Sequence, residues 1–578
     1  MFHPRCPRSA AVPSLSSIIA RAVPVLGVVV FTAFFGACET RPAYDLILRN
    51  GEVVDGTGRA AREADVAVSG DSIAAIGDLV EAEADRVVDA NGLVVAPGFI
   101  DMHTHSDFTL LVDGRALSKT TQGVTTEVLG ETGSGGPVLG EARGEMTEEL
   151  DGYGLELTWK TLGGYLDTLE ARGISVNAVS TVGAGQIRAS VMGYEDRPPT
   201  DEEMERMRVL VDEAMRQGAI GISSGMVYPP NSYFSTEEMI DLAEPAAHHG
   251  GIYLTHIRNE GDGLLGALQE AATIGRKAGL PVEVLHFKRY AVRPEGPRVE
   301  PTIQDAVALI DSVRAAGQEM AANMYPYAAA QTGLDQRIPT WARDGGRQRM
   351  VERLRDPKTR GRIVKEVRKT LARDRGGYAP GTIMLGRTPH EPHQEYLGMR
   401  LSEIAEAMGM SPAETLVELV DEGEGRVRVI YFGMREEDVR YLLQVPWTTI
   451  GSDGTAVAPE GMFLESHPHP RWYGAFPRVL GRYVREESVL ELPEAIRKMT
   501  SLAASRIGLE KRGEVAVGMK ADLVVFRPDS IIDRATFTNP HQLSRGVNWL
   551  IVNGEVVIAE GEHTGATPGR VLRNGGGS

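Results

Sequence analysis

Hydrophobic and polar positions change their period twice along the chain. From Tyr44 to Leu93 short runs alternate apolar and polar with period two: Asp45 to Arg49, Glu52 to Val54, Ala64 to Val68, Ser72 to Ile76 and Arg86 to Asp89. Asn50-Gly51 and Ser69-Gly70-Asp71 supply turn chemistry between them. The same texture returns near the C-terminus, in Glu514 to Met519, Ala521 to Phe526 and Val547 to Val557. Two β segments that bracket everything else predict one small β-sandwich built from both termini, residues 44–95 and 506–572.

Between them, over residues 96–505, the pattern becomes strand, helix, strand. Ile174 to Ser180 reads as a strand, and Thr200 to Gln217 as an amphipathic helix that opens on a capping box, Thr200-Asp201-Glu202-Glu203. Ile220 to Ser224, Ile252 to His256 and Val282 to His286 are strands. The helices Thr236 to His249 and Leu264 to Ala278 lie between them. Strands alternating with helices imply a parallel sheet, and about eight such units close a (β/α)8 barrel. Arg337 to Arg375 breaks this rhythm. It is dense in Arg and Lys and poor in strand signal, and reads either as a helical lid inserted over about 337–395 or as a solvated excursion. The glycine-rich tail, 573–578, is expected to be disordered.

Composition narrows the class. The 578 residues carry 61 Lys+Arg against 79 Asp+Glu, a net charge of −18, which excludes the basic footprint of a nucleic-acid binder. The length suits one large barrel with a small domain beside it. The first 38 residues differ from the rest: Arg5, Arg8 and Arg21 precede a nearly unbroken apolar run, Ala22 to Ala37, shorter than the ~20 residues of a spanning helix. This is the form of a bacterial export signal. Phe35-Gly36-Ala37-Cys38 resembles a lipobox, with Phe35 in the usual place of leucine, and would make Cys38 the lipidated first residue of a periplasmic, membrane-tethered protein. The other cysteine, Cys6, would leave with the signal. The folded part therefore has no disulfide and no thiolate ligand to a metal.

Candidate chemistry gathers at strand ends. His103 and His105 follow Ala96-Pro97-Gly98-Phe99-Ile100-Asp101, and spacing of two puts both imidazoles on one face. His256 and His286 each close a predicted strand, thirty residues or about one βα unit apart. The strand Trp447 to Ser452 ends in Asp453. In such barrels the C-terminal rim of the strands carries the active site. Alone, each of these residues reads as a polar turn or a satisfied histidine; together they suggest a metal site with a proton-carrying carboxylate.

Several motifs resemble the amidohydrolase superfamily, and more closely its N-acyl-D-amino-acid deacylase (D-aminoacylase) family. They are Pro97-Gly-Phe-Ile-Asp-Met-His-Thr-His, Gln122-Gly-Val-Thr-Thr, Gly221-Ile-Ser-Ser-Gly-Met-Val-Tyr-Pro-Pro, His286-Phe-Lys, Tyr325-Pro-Tyr and His469-Pro-Arg-Trp-Tyr-Gly. The resemblance spans about residues 44–572. It implies a TIM-like barrel, a flanking β-sandwich, a lid insertion and a zinc-dependent amide hydrolase holding one or two ions. One departure stands out. The deacylases carry a zinc-binding cysteine after the Gly-x-Thr-Thr motif, where this chain reads Gly130-Glu131-Thr132-Gly133. Counted from Gly130, Thr132 takes the cysteine's place; counted back from Pro137, Glu131 does. A carboxylate is the better zinc ligand, so Glu131 is expected to bind metal and to bridge two ions if two are present. The resemblance also implies that Lys288, Tyr228 and Tyr325 bind the carboxylate of a small N-acyl amino acid, and that Asp453 acts as general base and acid. His103, His105, Glu131, His256 and His286 form the expected ligand set. The rival expectations are cyclic-amide opening, dipeptide cleavage, or a non-catalytic tethered binding protein on the same fold.

Overall fold

The computed structural model describes residues 43–292, 300–373 and 376–574. The export signal and lipobox, and the last four residues of the tail, lie outside them. Eight parallel strands form the centre: β1 (Phe99–Asp101), β2 (Val124–Leu129), β3 (Asn177–Ser180, resumed at Val182–Gly183), β4 (Gly221–Gly225), β5 (Ile252–His256), β6 (Val282–Val284), β7 (Met320–Met324) and β8 (Thr448–Ile450). Each pairs in parallel with the next. The ring closes between its last and first strands. Met102 N–H donates to the Ile450 carbonyl at 3.3 Å, Asp453 N–H to the His103 carbonyl at 2.8 Å and His105 N–H to the Gly454 carbonyl at 3.0 Å. The strands are buried along their whole length, as strands covered on both faces must be.

Helices cover the barrel, and local chemistry starts them where expected. The helix Asp201–Arg216 begins after Thr200, whose hydroxyl accepts from Glu203 N–H at 3.2 Å while the Glu203 carboxylate accepts from Thr200 N–H at 2.8 Å. Each end thus satisfies an otherwise unpaired donor of the other. Thr236–His248 follows Ser235 and Glu238 by the same rule.

The two terminal β segments form one nine-stranded sheet. Its N-terminal and C-terminal halves join where Val94–Pro97 runs antiparallel to Leu523–Phe526. Leu48, Val66, Val68, Val95, Leu523 and Val525 make its separate core. The strand Val94–Pro97 then leads through Gly98 directly into β1. Gly98 has no room for a side chain: an added Cβ would lie 2.2 Å from Thr125.

The insertion is more than a helical excursion. Strands Ala330–Gly333, Ile383–Arg387 and Arg428–Tyr431 form an antiparallel sheet. Helices Gly346–Arg355, Pro357–Leu371 and Pro412–Glu422 pack on it around Ile363, Val367, Leu385, Leu416, Val417 and Val429. Packing thus carries the unit past residue 395, to Tyr431, and the solvated alternative is excluded by this core. Four- and five-residue strands interrupted by Gly386 and Gly333 give too little alternation to be seen in the chain.

Candidate active site

The expected site residues all stand at the C-terminal rim. His103 and His105 follow β1, Glu131 lies two residues past β2, His256 ends β5, His286 lies two past β6 and Asp453 three past β8. Their polar atoms converge. Glu131 Oε2 is 3.0 Å from His103 Nε2 and 3.1 Å from His105 Nε2. Glu131 Oε1 faces the other pair, 3.5 Å from His256 Nδ1 and 3.8 Å from His286 Nε2. One carboxylate therefore stands between two pairs of imidazoles, offering one oxygen to each. Asp453 Oδ1 joins the first pair at 3.1 Å from His105 Nε2. Thr132, the other candidate for the cysteine's position, stands aside with φ 59° and its hydroxyl packed against Gly225.

The donor set fits a divalent cation. Three groups have ligand atoms within 4.8 Å of one another: His103, His105 and Glu131; Glu131, His256 and His286; and His103, His286 and Asp453. Tetrahedral zinc, with bonds of about 2.0–2.1 Å to nitrogen and oxygen, spaces its ligand atoms roughly 3.4 Å apart. The Glu131 contacts bracket that spacing. Buried Glu131 Oε1 makes no hydrogen bond among the described residues, and His256 Nδ1 faces His286 Nε2 at 2.8 Å. A buried acceptor without a donor is costly, and a cation between these atoms removes the cost.

Charge is held in place by the same geometry. Burial pushes the Glu131 carboxyl up, but His103 and the neighbouring imidazoles outweigh it and hold it well below the usual carboxylate range. Asp453 is likewise held far below that range despite burial, chiefly by Arg471, whose guanidinium is 3.0 Å from Oδ2. It stays ionised at neutral pH. His286 is pushed down to about 4, by burial first and then by Lys288, and so is a neutral donor of an electron pair. His286 and Asp453 take φ of 38° and 48°. Non-glycine residues in this left-handed region cluster at functional sites, where surrounding contacts enforce the geometry. Here His286 N–H is fixed on Asn323 Oδ1 at 2.9 Å, and Asp453 N–H on the His103 carbonyl.

The expected substrate-binding residues are brought to the same place, already engaged. Lys288 Nζ is 2.5 Å from Glu260 Oε1 and 2.9 Å from His286 Nδ1. The Tyr228 hydroxyl lies 2.9 Å from Thr332 Oγ1, and its ring meets His256 edge-on at 5.0 Å. Tyr325 lies under Arg471 and near Lys288, its hydroxyl donating to Met434 Sδ at 3.6 Å.

Two residues of the site escaped the sequence reading. Glu260 reaches the outer nitrogens of both members of one histidine pair: Oε1 is 3.0 Å from His286 Nδ1 and Oε2 is 3.8 Å from His256 Nε2. A carboxylate so placed fixes which ring nitrogen of a ligand histidine carries the proton. Its one signal was position, four residues past His256. Arg471 sat inside a matched motif without an assigned role; only the fold brings it to Asp453.

With this geometry in view, likeness to known proteins becomes specific. Residues 86–558 match the model of the amidohydrolase family. The chain belongs to that family, in the branch of the D-aminoacylases. It is 39% identical to the D-aminoacylase of Alcaligenes xylosoxydans xylosoxydans over 529 residues, covering 92% of this chain and 97% of that one. A crystal structure of D-aminoacylase superposes with a TM-score of 0.76 at 37% identity, covering 92% of this chain and all of the other. The N-acyl-D-glutamate deacylase of Bordetella bronchiseptica, solved with zinc and a phosphonate mimic of the tetrahedral intermediate, gives 0.77 at 31% identity, with 92% and 100% covered.

Proposed function

We propose that this chain is a zinc-dependent hydrolase that cleaves the amide bond of N-acyl-D-amino acids, releasing a carboxylate and the free amino acid. The observation that carries this reading is the Glu131 carboxylate shared between two pairs of strand-end histidines, with ionised Asp453 beside them. The relatives that match over nearly the whole chain support the substrate class.

His256, His286 and Glu131 would hold one ion, and His103, His105 and the other Glu131 oxygen a second. Bound zinc supplies Lewis-acid polarisation of the amide carbonyl and acidifies the attacking water. Asp453, ionised and buried at the rim, accepts the proton from that water and returns it to the leaving nitrogen. Arg471 holds its Oδ2 and thereby aims it. Lys288, with Tyr228 and Tyr325 around it, orients the substrate carboxylate by charge-assisted hydrogen bonds, exchanging Glu260 for substrate as its partner.

Assay of N-acyl-D-amino acids beside their L-enantiomers, hydantoins and dipeptides tests the reading. Turnover of the D-compounds, lost in Asp453→Asn while zinc content is kept, is expected. An active Asp453→Asn enzyme, or preference for hydantoins or dipeptides, would overturn it. For the leader we propose export and lipidation at Cys38. Cys38→Ala is expected to move the full chain from the membrane fraction to the soluble periplasmic one; an unchanged distribution refutes the anchor.

A further inference from the structure

Against the Glu131 cluster, inside the barrel, lies a cavity of about 10 Å³. That is close to the least space one water molecule needs. Its apolar wall, which includes Val128 and Leu254, belongs to the barrel core. Its polar wall is Glu131 with His103, Thr181 and Ser223, the last three buried.

One nitrogen of this wall is left over by the proposed chemistry. The histidine pair His256 and His286 has the Glu260 carboxylate behind it. The His105 side chain is 46% exposed and meets solvent. His103 has neither kind of support. Its Nε2 faces Glu131 at 3.0 Å, and its buried Nδ1 makes no hydrogen bond among the described residues. A neutral imidazole that offers Nε2 to a metal carries its proton on Nδ1, and that N–H needs an acceptor which fixes tautomer and ring orientation. Buried without one, it is costly.

The two hydroxyls of the same wall complete the pattern. Thr181 Oγ1 donates to the Gly130 carbonyl at 2.9 Å, and Ser223 Oγ donates to the same carbonyl. Their own protons are thus committed. Neither oxygen accepts a hydrogen bond among the described residues, so each keeps a lone pair for a donor. A water in the cavity has the complementary needs. It accepts from His103 Nδ1 and donates to both oxygens, three bonds in all, the usual number for a buried water.

We infer that one internal water joins His103 Nδ1 to Thr181 and Ser223, and that these two hydroxyls are positioning residues for the metal site of the His103 pair. Gly130 directly precedes Glu131, so the same hydroxyls steady both sides of the Glu131–His103 contact. The inference rests on the proposed two-ion site and names what holds its less supported half.

The zinc-loaded enzyme tests it twice. A high-resolution crystal structure should show one density peak within hydrogen-bond reach of His103 Nδ1, Thr181 Oγ1 and Ser223 Oγ. Competition with a chromophoric chelator should then resolve two zinc affinities. Val128→Ile adds a methylene to the cavity wall and leaves every polar partner in place. It should lose the peak and bind the ion of the His103 pair about 10- to 100-fold more weakly, with the ion backed by Glu260 unchanged. Thr181→Val, which keeps the shape and removes one acceptor, should show the same selective loss. Should either variant fail to fold, the other and the density in the parent decide. A parent without the peak, or folded variants that keep both affinities or weaken both alike, would overturn the inference. A parent that hydrolyses N-acyl-D-amino acids while taking up a single ion overturns it too, and leaves hydrolysis standing. A parent that holds two ions and the water yet cleaves none of these compounds refutes the hydrolysis alone.

Discussion

Glu131 sets a carboxylate between two histidine pairs, and the consequence is geometric. A carboxylate has two oxygens that point apart, so each can serve a separate histidine pair, as the 3.0–3.1 Å and 3.5–3.8 Å contacts show. Glu260 stands behind one of those pairs. Its removal should loosen the metal without touching it directly: Glu260→Gln is expected to lower zinc affinity about 10- to 100-fold. Competition with a chromophoric chelator measures this, and an unchanged affinity would reduce Glu260 to a partner of Lys288. The four histidines were legible in the chain because each ends or closely follows a strand, and strand ends in such barrels share a rim. Glu260 and Arg471 were not, because a loop residue and the first residue of the helix Arg471–Arg478 are aimed by the fold and not by periodicity. Glu131 was legible only as one of two alternatives; the backbone at Thr132, with φ 59°, turns its hydroxyl away and leaves the carboxylate facing inward.

Among the elements, the short helix Leu117–Thr120 does the most to fix the catalytic end. Its Lys119, wholly buried, donates to Asp101 Oδ2 at 2.8 Å and to Ser452 Oγ at 2.6 Å. Asp101 in turn accepts from Ser452 N–H at 2.7 Å. The ends of β1 and β8, which carry His103 and Asp453, are thereby tied through one ion pair. Lys119→Met would leave Asp101 charged in the interior without its cation, a loss of about 3–5 kcal/mol by the measured behaviour of broken buried pairs. Denaturant unfolding checks it; a change below about 1 kcal/mol would show that the pair is dispensable. The helix Asp201–Arg216 was read closely from the chain, because its capping box is a local signal. The inserted sheet was hidden, since its short strands find their partners far along the chain, Ile383 and Ala330 both pairing with Tyr431.

At the scale of the whole molecule, the barrel and the terminal sheet are one continuous device. The strand Val94–Pro97 belongs to the nine-stranded sheet, and one residue later β1 begins. The terminal sheet therefore anchors the strand on which His103 and His105 stand. Alternating strands and helices made the barrel legible. Its closure was not, because that depends on β1 and β8, some 350 residues apart, meeting through Met102, His103 and Asp453. The barrel brings two histidine pairs from opposite sides to a single carboxylate, and metal-dependent amide hydrolysis depends on that meeting. Zinc content and D-specific turnover of Glu131→Gln, measured beside the parent after both are stripped by chelator and reloaded, test it most directly. The parent should regain zinc and hydrolyse N-acyl-D-amino acids, while the folded variant binds little metal and stays inactive. A Glu131→Gln protein that takes up zinc and hydrolyses as the parent does would contradict the bridging carboxylate.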